Sequence, residues 1–404
     1  MSQWSVSNLG AAVEQYSSVV GESLHYFNAD IWQTYIDRVG HENIRCVWSG
    51  APKQGEFAGG LAFYRMGQWY GGQRVASAGV SGVGIDPAFR GSGACKHLLQ
   101  STLSELFEEG MPIAALYAST RGLYRSVGFE ISGHRIDYSL KMPSFRKHPD
   151  ARELQATRTL TPDFAVLAKL AEHRGRIQNG NIDRTDGMWQ RILEPIGRTS
   201  TSYLIGDPTR PDGFITLLHG KRELGHPQAL TASDYYAATP AAMQRIIALI
   251  LDHRSMCDRL VWYGGPQDDL MLAAVEEHLE IPGQLLTLNR IIHLKNALES
   301  RGYPKHLNAS LVLVIDDPLL TGNSGRWALR VQDGEGTLEQ AGSLDPYASA
   351  GLEMSIQTLV PLYTSMYTCS QLVKQGRVRA RTTEAVELAD AIFAGPAPWT
   401  VELF

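Results

Sequence analysis

Residues Ala78 to Phe129 read AGVSGVGIDPAFRGSGACKHLLQSTLSELFEEGMPIAALYASTRGLYRSVGF. This stretch decides the fold. A strand runs to Ile85, Asp86-Pro87 breaks it, and the turn Arg90-Gly-Ser-Gly-Ala-Cys95 leads into a helix predicted over about Ala94–Glu109. Cys95, Leu98, Leu99, Leu103, Leu106 and Phe107 share one face of that helix at three-to-four spacing. Gly110 reads as the residue just past its end, with Pro112 beyond. A second strand is predicted at Ile113–Ala118. Two strands flanking one helix indicate an α/β chain.

The turn between strand and helix suits an anion. The first N–H groups of a helix lack partners, the dipole is positive there, and glycines let a phosphate approach the backbone. A P-loop requires G-x-x-x-x-G-K-[ST], but Lys96 is followed by His97 and no glycine precedes it. A dinucleotide fold requires a third glycine where Lys96 stands, and an acid after the next strand where Ser119-Thr120 stands. A third pattern fits. Arg90-x-x-Gly93-x-Cys95 resembles the Q/R-x-x-G-x-G/A pyrophosphate loop of GCN5-related N-acetyltransferases, with Cys95 at a position that is usually Gly or Ala. Tyr124-x-x-x-Gly128-Phe129 resembles the segment beside the acetyl-CoA thioester in the same superfamily.

The resemblance extends along the chain. Pro112–Ser119, Gly122–Phe129, the run RIIHLKNALESRGY at Arg290–Tyr303 and the terminal Phe404 are similar to the Eis acetyltransferases. That resemblance implies tandem acetyltransferase-like domains, the first catalytic over residues 1–145 and the second degenerate over 146–288. A sterol-carrier-protein-like domain over 289–404 follows. The second region carries no R-x-x-G-x-G loop. The resemblance also implies acetyl-CoA as cosubstrate with no metal, a small-molecule amine as acceptor, and a homo-oligomer, in that family a hexamer. Backbone groups of Val83, Gly84 and Ile85 would then pair with the pantetheine. Gly91, Ser92, Gly93, Ala94, Cys95 and Lys96 would hold the pyrophosphate, and Ser119 and Thr120 would meet the cofactor at the next strand's end. Tyr124 matches the family's general acid, and a phenol with a pKa of about 10 keeps its proton at neutral pH. Val75–Ile85 contains no acid, so the base lies elsewhere; the Eis pattern implies the carboxylate of Phe404.

Composition is compatible with this reading. The 404 residues amount to two or three domains at about 150 residues each. With 44% hydrophobic and 20% charged residues the chain is of ordinary globular type, neither disordered nor collagen-like. A net charge of −5 offers no global attraction to nucleic acid or an anionic membrane. The four cysteines lie far apart without zinc spacing, which suits a reducing compartment. The N-terminus lacks a signal-peptide pattern and no apolar run approaches a membrane span, so a soluble, cytoplasmic protein is expected.

Outside the central motif, helices are predicted around Ser7–Val20 and Ala29–Val39, with strands near Ile44–Trp48, Gly59–Met66 and Gln73–Ile85. Ser144–Arg158 reads as a polar linker. Thr239-Pro240 reads as a helix start, followed by the stripe Met243, Ile246, Ile247, Ile250, Leu251 and a strand at Arg259–Tyr263. Further on come strands Leu311–Ile315 and Trp327–Val331, a hairpin signal at Asp333-Gly334, and helical stretches at Leu359–Lys374 and Glu384–Phe393. Asp30, Trp32 and Glu402 are candidates for lining an amine pocket, although solvated or core roles compete. Arg377, Arg379 and Arg381 read as a solvated or subunit-contact face. Two other readings stay open: a non-catalytic acyl-CoA-responsive protein, and a carrier of an apolar ligand in the C-terminal domain.

Overall fold

A computed structural model describes residues 3–25, 29–51, 54–195, 197–219, 228–276, 278–342 and 351–403. The chain forms two compact units. One comprises Met1–Gly133, Leu286–Pro396 and Leu403–Phe404; the other comprises His134–Leu285 and Ala397–Glu402. The first third contributes β1 (Trp4–Asn8), α1 (Val13–Ser23), α2 (Ala29–Val39), β2 (Ile44–Ser49), β3 (Glu56–Tyr70) and β4 (Gln73–Ile85). It continues with α3 (Ala94–Glu108), β5 (Ile113–Tyr117), α4 (Arg121–Arg125) and β6 (Glu130–Lys141). The middle third holds β7 (Ala156–Thr159), α5 (Phe164–Ile177), β8 (Ile182–Asp183), α6 (Asp186–Leu193), β9 (Thr199–Asp207) and β10 (Arg210–His219). After these come β11 (Gln228–Ala237), α7 (Pro240–Asp252), β12 (Cys257–Gly264), α8 (Asp269–Leu272) and β13 (Leu279–Ile291). The last third holds α9 (Leu294–Ser300), β14 (Ala309–Asp316), β15 (Gly325–Gln332), β16 (Glu335–Gln340) and β17 (Gly351–Ser355). It ends with α10 (Ile356–Tyr363), α11 (Cys369–Lys374), β18 (Arg379–Ala380) and α12 (Thr383–Ile392).

In the first unit, β1 to β4 form an antiparallel meander and β4 then pairs in parallel with β5. Such a parallel step needs a crossover, and α3 supplies it. Residues Thr287–Ile291 of β13 pair antiparallel with β5 and complete the sheet. The second unit repeats the pattern: β9, β10 and β11 are antiparallel, α7 crosses over, and β12 is parallel to β11. Here the completing strand is β6, antiparallel to β12. The strand that closes each sheet therefore comes from the sequence of the other repeat.

The buried face of α3 is Ala94, Leu98, Leu99, Thr102, Leu103 and Leu106, packed against Leu61, Phe63, Ala78, Ala114 and Leu116. Burial of each leucine contributes about 1.5–3 kcal/mol. The last third makes its own sheet, β16-β15-β14-β17-β18, under α10 and α12. Its apolar interior is continuous with Tyr70, Val75 and Ile113 from the first third. Arg290 and Asp317, both fully buried, fix the junction with two 2.7 Å hydrogen bonds.

Most predicted elements appear close to their expected limits; four differ. Ser7 and Asn8 belong to β1, paired with Cys46 and Arg45, so the first helix starts only at Val13. The stretch Leu359–Lys374 is two helices, broken where Ser365 takes a φ of +64° after α10 ends. Ser144–Arg158 is exposed from Arg146 to Asp150 but anchored at both ends: Ser144, Phe145 and Ala151 are buried, and Ala156–Arg158 pairs with β9. Arg377 is half-buried against Glu130, while Arg379 and Arg381 are exposed. Among the described residues no helix is long and apolar enough to cross a membrane. The four cysteines are free.

In the second unit a single carboxyl, Asp268, accepts from the Tyr235 hydroxyl, the Trp262 indole and the Leu270 amide, all at Oδ1. Burial pushes its pKa up to about 6. A raised carboxyl pKa means the folded state holds the proton more tightly, so stability falls as pH rises from about 4, the unfolded value, through about 6. The slope amounts to about 2–3 kcal/mol across that window. Asp268→Asn keeps the acceptor oxygen and is expected to flatten the slope in urea melts run from pH 4 to pH 7. An unchanged slope would show that Asp268 does not titrate there.

Candidate active site

The site begins with a β-bulge. In the β3–β4 ladder Ala62 faces Ser81 and Gly60 faces Gly84, so Leu61 opposes both Gly82 and Val83. Gly82 has a φ of +54°, and a Cβ there would lie 2.7 Å from the hydroxyls of both Tyr16 and Tyr35. Tyr16 donates to the Gly82 carbonyl at 3.1 Å, which ties α1 to the bulge. Just before the bulge β4 leaves β5: their pairing covers only Ser77–Gly79 opposite Ile113–Ala115, while β4 runs on to Ile85. The strands part like a V.

The opening of the V is a cleft of about 540 Å³. Val83, Gly84, Ile85, Gly91, Gly93, Ala94, Cys95, Lys96, Ser119, Thr120 and Tyr124 all line it. Of the cofactor residues inferred from sequence, Ser92 alone does not; its hydroxyl donates to the Phe89 carbonyl. Ser23, Leu24, Phe89, Arg90 and Leu123 complete the wall. Ser23 also hydrogen-bonds the Ile85 carbonyl at 2.9 Å, which fixes the end of α1 beside β4. Gly93 caps α3 in the left-handed region with a φ of +92°, and no side chain caps the helix. A Cβ at Gly91 or Gly93 would project into open space. The N–H groups of this first turn thus face the cleft edge uncovered, as an anion site requires.

Tyr124 sits on α4, buried, with its ring edge-on to Phe129 at 6.0 Å. Burial, with Cys95 close by, raises its hydroxyl pKa well above the ordinary phenol value. Burial also pushes the Cys95 thiol up to about 11, so it is neutral near pH 7. The turn carrying Tyr124 is held from below. Glu130, buried, receives Arg125 at 2.6 Å, Arg377 at 2.7 Å and the Ile131 amide at 2.9 Å. Gln357 donates to the Phe129 carbonyl at 2.9 Å. Burial alone would raise the Glu130 pKa, but the Ile131 amide and the two guanidiniums outweigh it and hold it below the usual carboxylate range.

The other candidates lie elsewhere. Asp30 is exposed in the first turn of α2, while Trp32 is buried edge-on between Tyr16 and Tyr35. Glu402 is buried in the second unit, paired with Arg184. Phe404 lies outside the described residues. The sequence reading missed Gly82, Ser23 and Gln357. Only Gly82 left a signal, a glycine inside a strand.

Two acetyltransferase (GNAT) domain models match residues 10–132 and 180–290, and a sterol carrier protein domain model matches 294–401. A solved GCN5-related N-acetyltransferase from Anabaena variabilis is 31% identical, with a TM-score of 0.91 over 99% of this chain and 100% of that one. The chain is a GCN5-related N-acetyltransferase of the Eis-like type. N-acetyltransferase Eis of Mycobacterium tuberculosis is 25% identical over 92% of this chain and 90% of its own length. Eis1 of Mycobacterium abscessus shares the fold at 20% identity and a TM-score of 0.79, with 99% of this chain and 100% of that chain covered. The architecture of an Eis-like acetyltransferase explains why residues of the last third, Gln357 and Arg377, reach the turn of the first.

Arg377→Met leaves Glu130 with one guanidinium and is expected to cost about 1–3 kcal/mol in urea unfolding at pH 7. Because the Glu130 pKa is depressed, its contribution exists above the unfolded value near 4.3 and is lost below it. The gap between variant and parent should therefore close as pH falls under 4. A gap that stays constant to pH 3 would remove Glu130 from the explanation.

Proposed function

We propose that the cleft binds acetyl-CoA and that the protein transfers its acetyl group directly to the primary amine of a small cationic acceptor, of aminoglycoside, polyamine or lysine type. What carries this reading is one juxtaposition: the Tyr124 phenol, the parted edge of β4 and the uncovered start of α3 line the same cleft. Gly91 to Lys96 suit a pyrophosphate by their open backbone, and Val83 to Ile85 would pair with the pantetheine amides along the strand edge. Ser119 and Thr120 would meet the same chain from the end of β5. A thioester held there supplies an acyl carbon activated for attack by nitrogen.

In this reading Tyr124 is the general acid. Its hydroxyl gives a proton to the sulfur as the C–S bond breaks and the new C–N bond forms. The terminal carboxylate of Phe404 is the general base, taking the proton that the acceptor nitrogen sheds. Unperturbed, such a carboxylate has a pKa of about 3.3–3.7, so it works by orienting the ammonium or through a water unless burial raises it. The absence of any acid in β4 supports a base brought from elsewhere in the chain.

Thiol release from acetyl-CoA, followed with a panel of amines that includes an aminoglycoside and a polyamine, tests the proposal. Tyr124→Phe is expected to lower kcat by about 10²–10⁴, the usual contribution of a positioned acid, with acetyl-CoA affinity kept. The alkaline limb that Tyr124 sets should lie above pH 10, since burial raises its pKa. Deleting Phe404 should lower kcat without weakening acetyl-CoA binding. Turnover untouched by both changes would refute the mechanism, and CoA binding without thiol release for any amine would favour a non-catalytic acyl-CoA-responsive protein.

A further inference from the structure

The second unit repeats the V of the first. Its strands β11 and β12 pair only over Gln228–Thr231 opposite Cys257–Val261 and then part beside a bulge at Ser233. There Asp234 is held by Arg174 and Arg184, and Arg184 by Glu402 of the C-terminal tail. At the other end of β12, away from the parted strands, lies a cavity of about 730 Å³ between the ends of β6 and α7.

Its walls follow from two chain reversals. β6 ends at Lys141, Met142–Ser144 make one 3₁₀ turn with Pro143 inside it, and Phe145 then bridges to Ala274. The Val275 amide donates to the Ser144 carbonyl at 2.9 Å, which fixes that turn. Opposite it, α7 ends at Asp252, and the amides of Met256 and Cys257 both donate to the His253 carbonyl, at 3.0 and 2.9 Å. The chain thus bends straight into β12. Met142, Phe145 and Leu251 are buried members of the core of this unit and give the cavity an apolar floor.

The rim is cationic. Lys141, Lys147 and Arg254 line it and are exposed. Among the described residues none of the three meets a carboxylate. Acids close by in sequence or across the sheet are taken by other arginines: Asp252 by Arg152 at 2.6 Å, and Glu280 by Arg259 at 3.2 Å. Asp258 is the one acid in the wall, and it lies 3.6 Å from Arg259. Arg254 donates to the Leu251 carbonyl at 3.0 Å, which offsets the negative end of the α7 dipole. Three like charges around one concave, low-dielectric floor repel one another and concentrate a positive field over it.

We propose that this cavity binds an anionic amphiphile, a carboxylate or phosphate joined to an apolar chain or ring. The head would meet Lys141, Lys147 and Arg254, and the body would cover Met142, Phe145 and Leu251. A volume of about 730 Å³ is that of a small-molecule site, which typically spans about 300–1,000 Å³. A bare anion leaves the apolar floor wet, and an uncharged amphiphile leaves the rim charges unanswered. The site shares no residue with the acetyltransferase cleft, so its failure would leave the reading of that cleft untouched.

Two cysteines make the test site-specific. Cys257 lines this cavity and Cys95 lines the acetyltransferase cleft, whereas Cys46 and Cys369 are buried. Burial raises both cleft thiols, so iodoacetamide labelling of the full chain is run at about pH 8.5 and read for each cysteine by mass spectrometry. Decanoate and decyl phosphate, below their micellar concentrations, are each expected to slow Cys257 labelling about fivefold or more, while decanol and inorganic phosphate do not. Whichever anion acts at the lower concentration identifies the head as carboxylate or phosphate. Lys141→Ala combined with Arg254→Ala should raise the half-protecting concentration about tenfold or more, with Cys95 labelling unchanged as the check on folding. Calorimetry of decanoate with the parent and this variant repeats the decision without the thiol. Absence of both protection at Cys257 and a calorimetric difference between parent and variant overturns the site. Equal protection by decanol overturns the anionic class, and equal protection by inorganic phosphate overturns the apolar body.

Discussion

Two parallel strands that pair for a few residues and then part create a demand that the rest of this protein answers. Every backbone N–H and C=O exposed by the parting must find a partner, and the side chains that face each other across the gap must find contacts. In the first repeat β4 and β5 stop pairing after Gly79, the bulge at Gly82–Val83 follows, and the gap remains a cleft of about 540 Å³ beside a helix with no side-chain cap. A ligand with a long polar chain and a charged end is the kind of object that satisfies such a surface. In the second repeat the same parting is satisfied internally, by a buried ion cluster and by the tail.

The open cleft depends on rigidity supplied from a distance in sequence. Tyr124 stands on a helix only five residues long, too short to be stable by itself. Its position comes from Glu130 with two guanidiniums, from Gln357 at the Phe129 carbonyl, and from Arg290 at the Val127 carbonyl. Arg290 is in turn locked by Asp317, and Arg377 and Gln357 belong to the sheet-and-helix layer of the last third. That layer shares its apolar interior with Val75 and Ile113, the strands on either side of α3. The C-terminal third is therefore part of the frame around the acid, whatever else it does.

Local chemistry was legible in sequence; long-range partnership was not. Thr239-Pro240 caps and opens α7, Gly110 ends α3 with a φ of +74°, and Asp333-Gly334 turn β15 into β16 with positive φ at both residues. Each signal acts within a few residues, so spacing alone reveals it. The cofactor residues Val83 to Ile85, Gly91 to Lys96, Ser119 and Thr120 came from the family resemblance, and all but Ser92 line the cleft, whereas Ser23 on α1 left no signal. Ser7 and Asn8 misled because their partners, Cys46 and Arg45, are far along the chain. Arg377 reads as solvent-facing by alternation, and only the distant Glu130 makes it half-buried. The exchange of these strands has no local signature, because nothing within β6 or β13 names the distant strand it will pair with, β12 or β5.

A duplicated fold that loses its ligand faces a physical choice between collapse and replacement. Collapse would require β11 and β12 to pair along their full length, which the bulge at Ser233 opposes. Replacement needs groups of the right charge, and the buried pair of arginines around Asp234 selects for an acid. Free ligands would compete for that position at their own concentration, whereas a tail on the same chain is always present at the effective concentration set by its tether. Intramolecular occupancy also leaves the neighbouring residues ordered at all times. The second repeat holds Trp399–Glu402 in this way through Asn181, Arg135 and Arg184, and the segment in return completes the charge balance around Asp234.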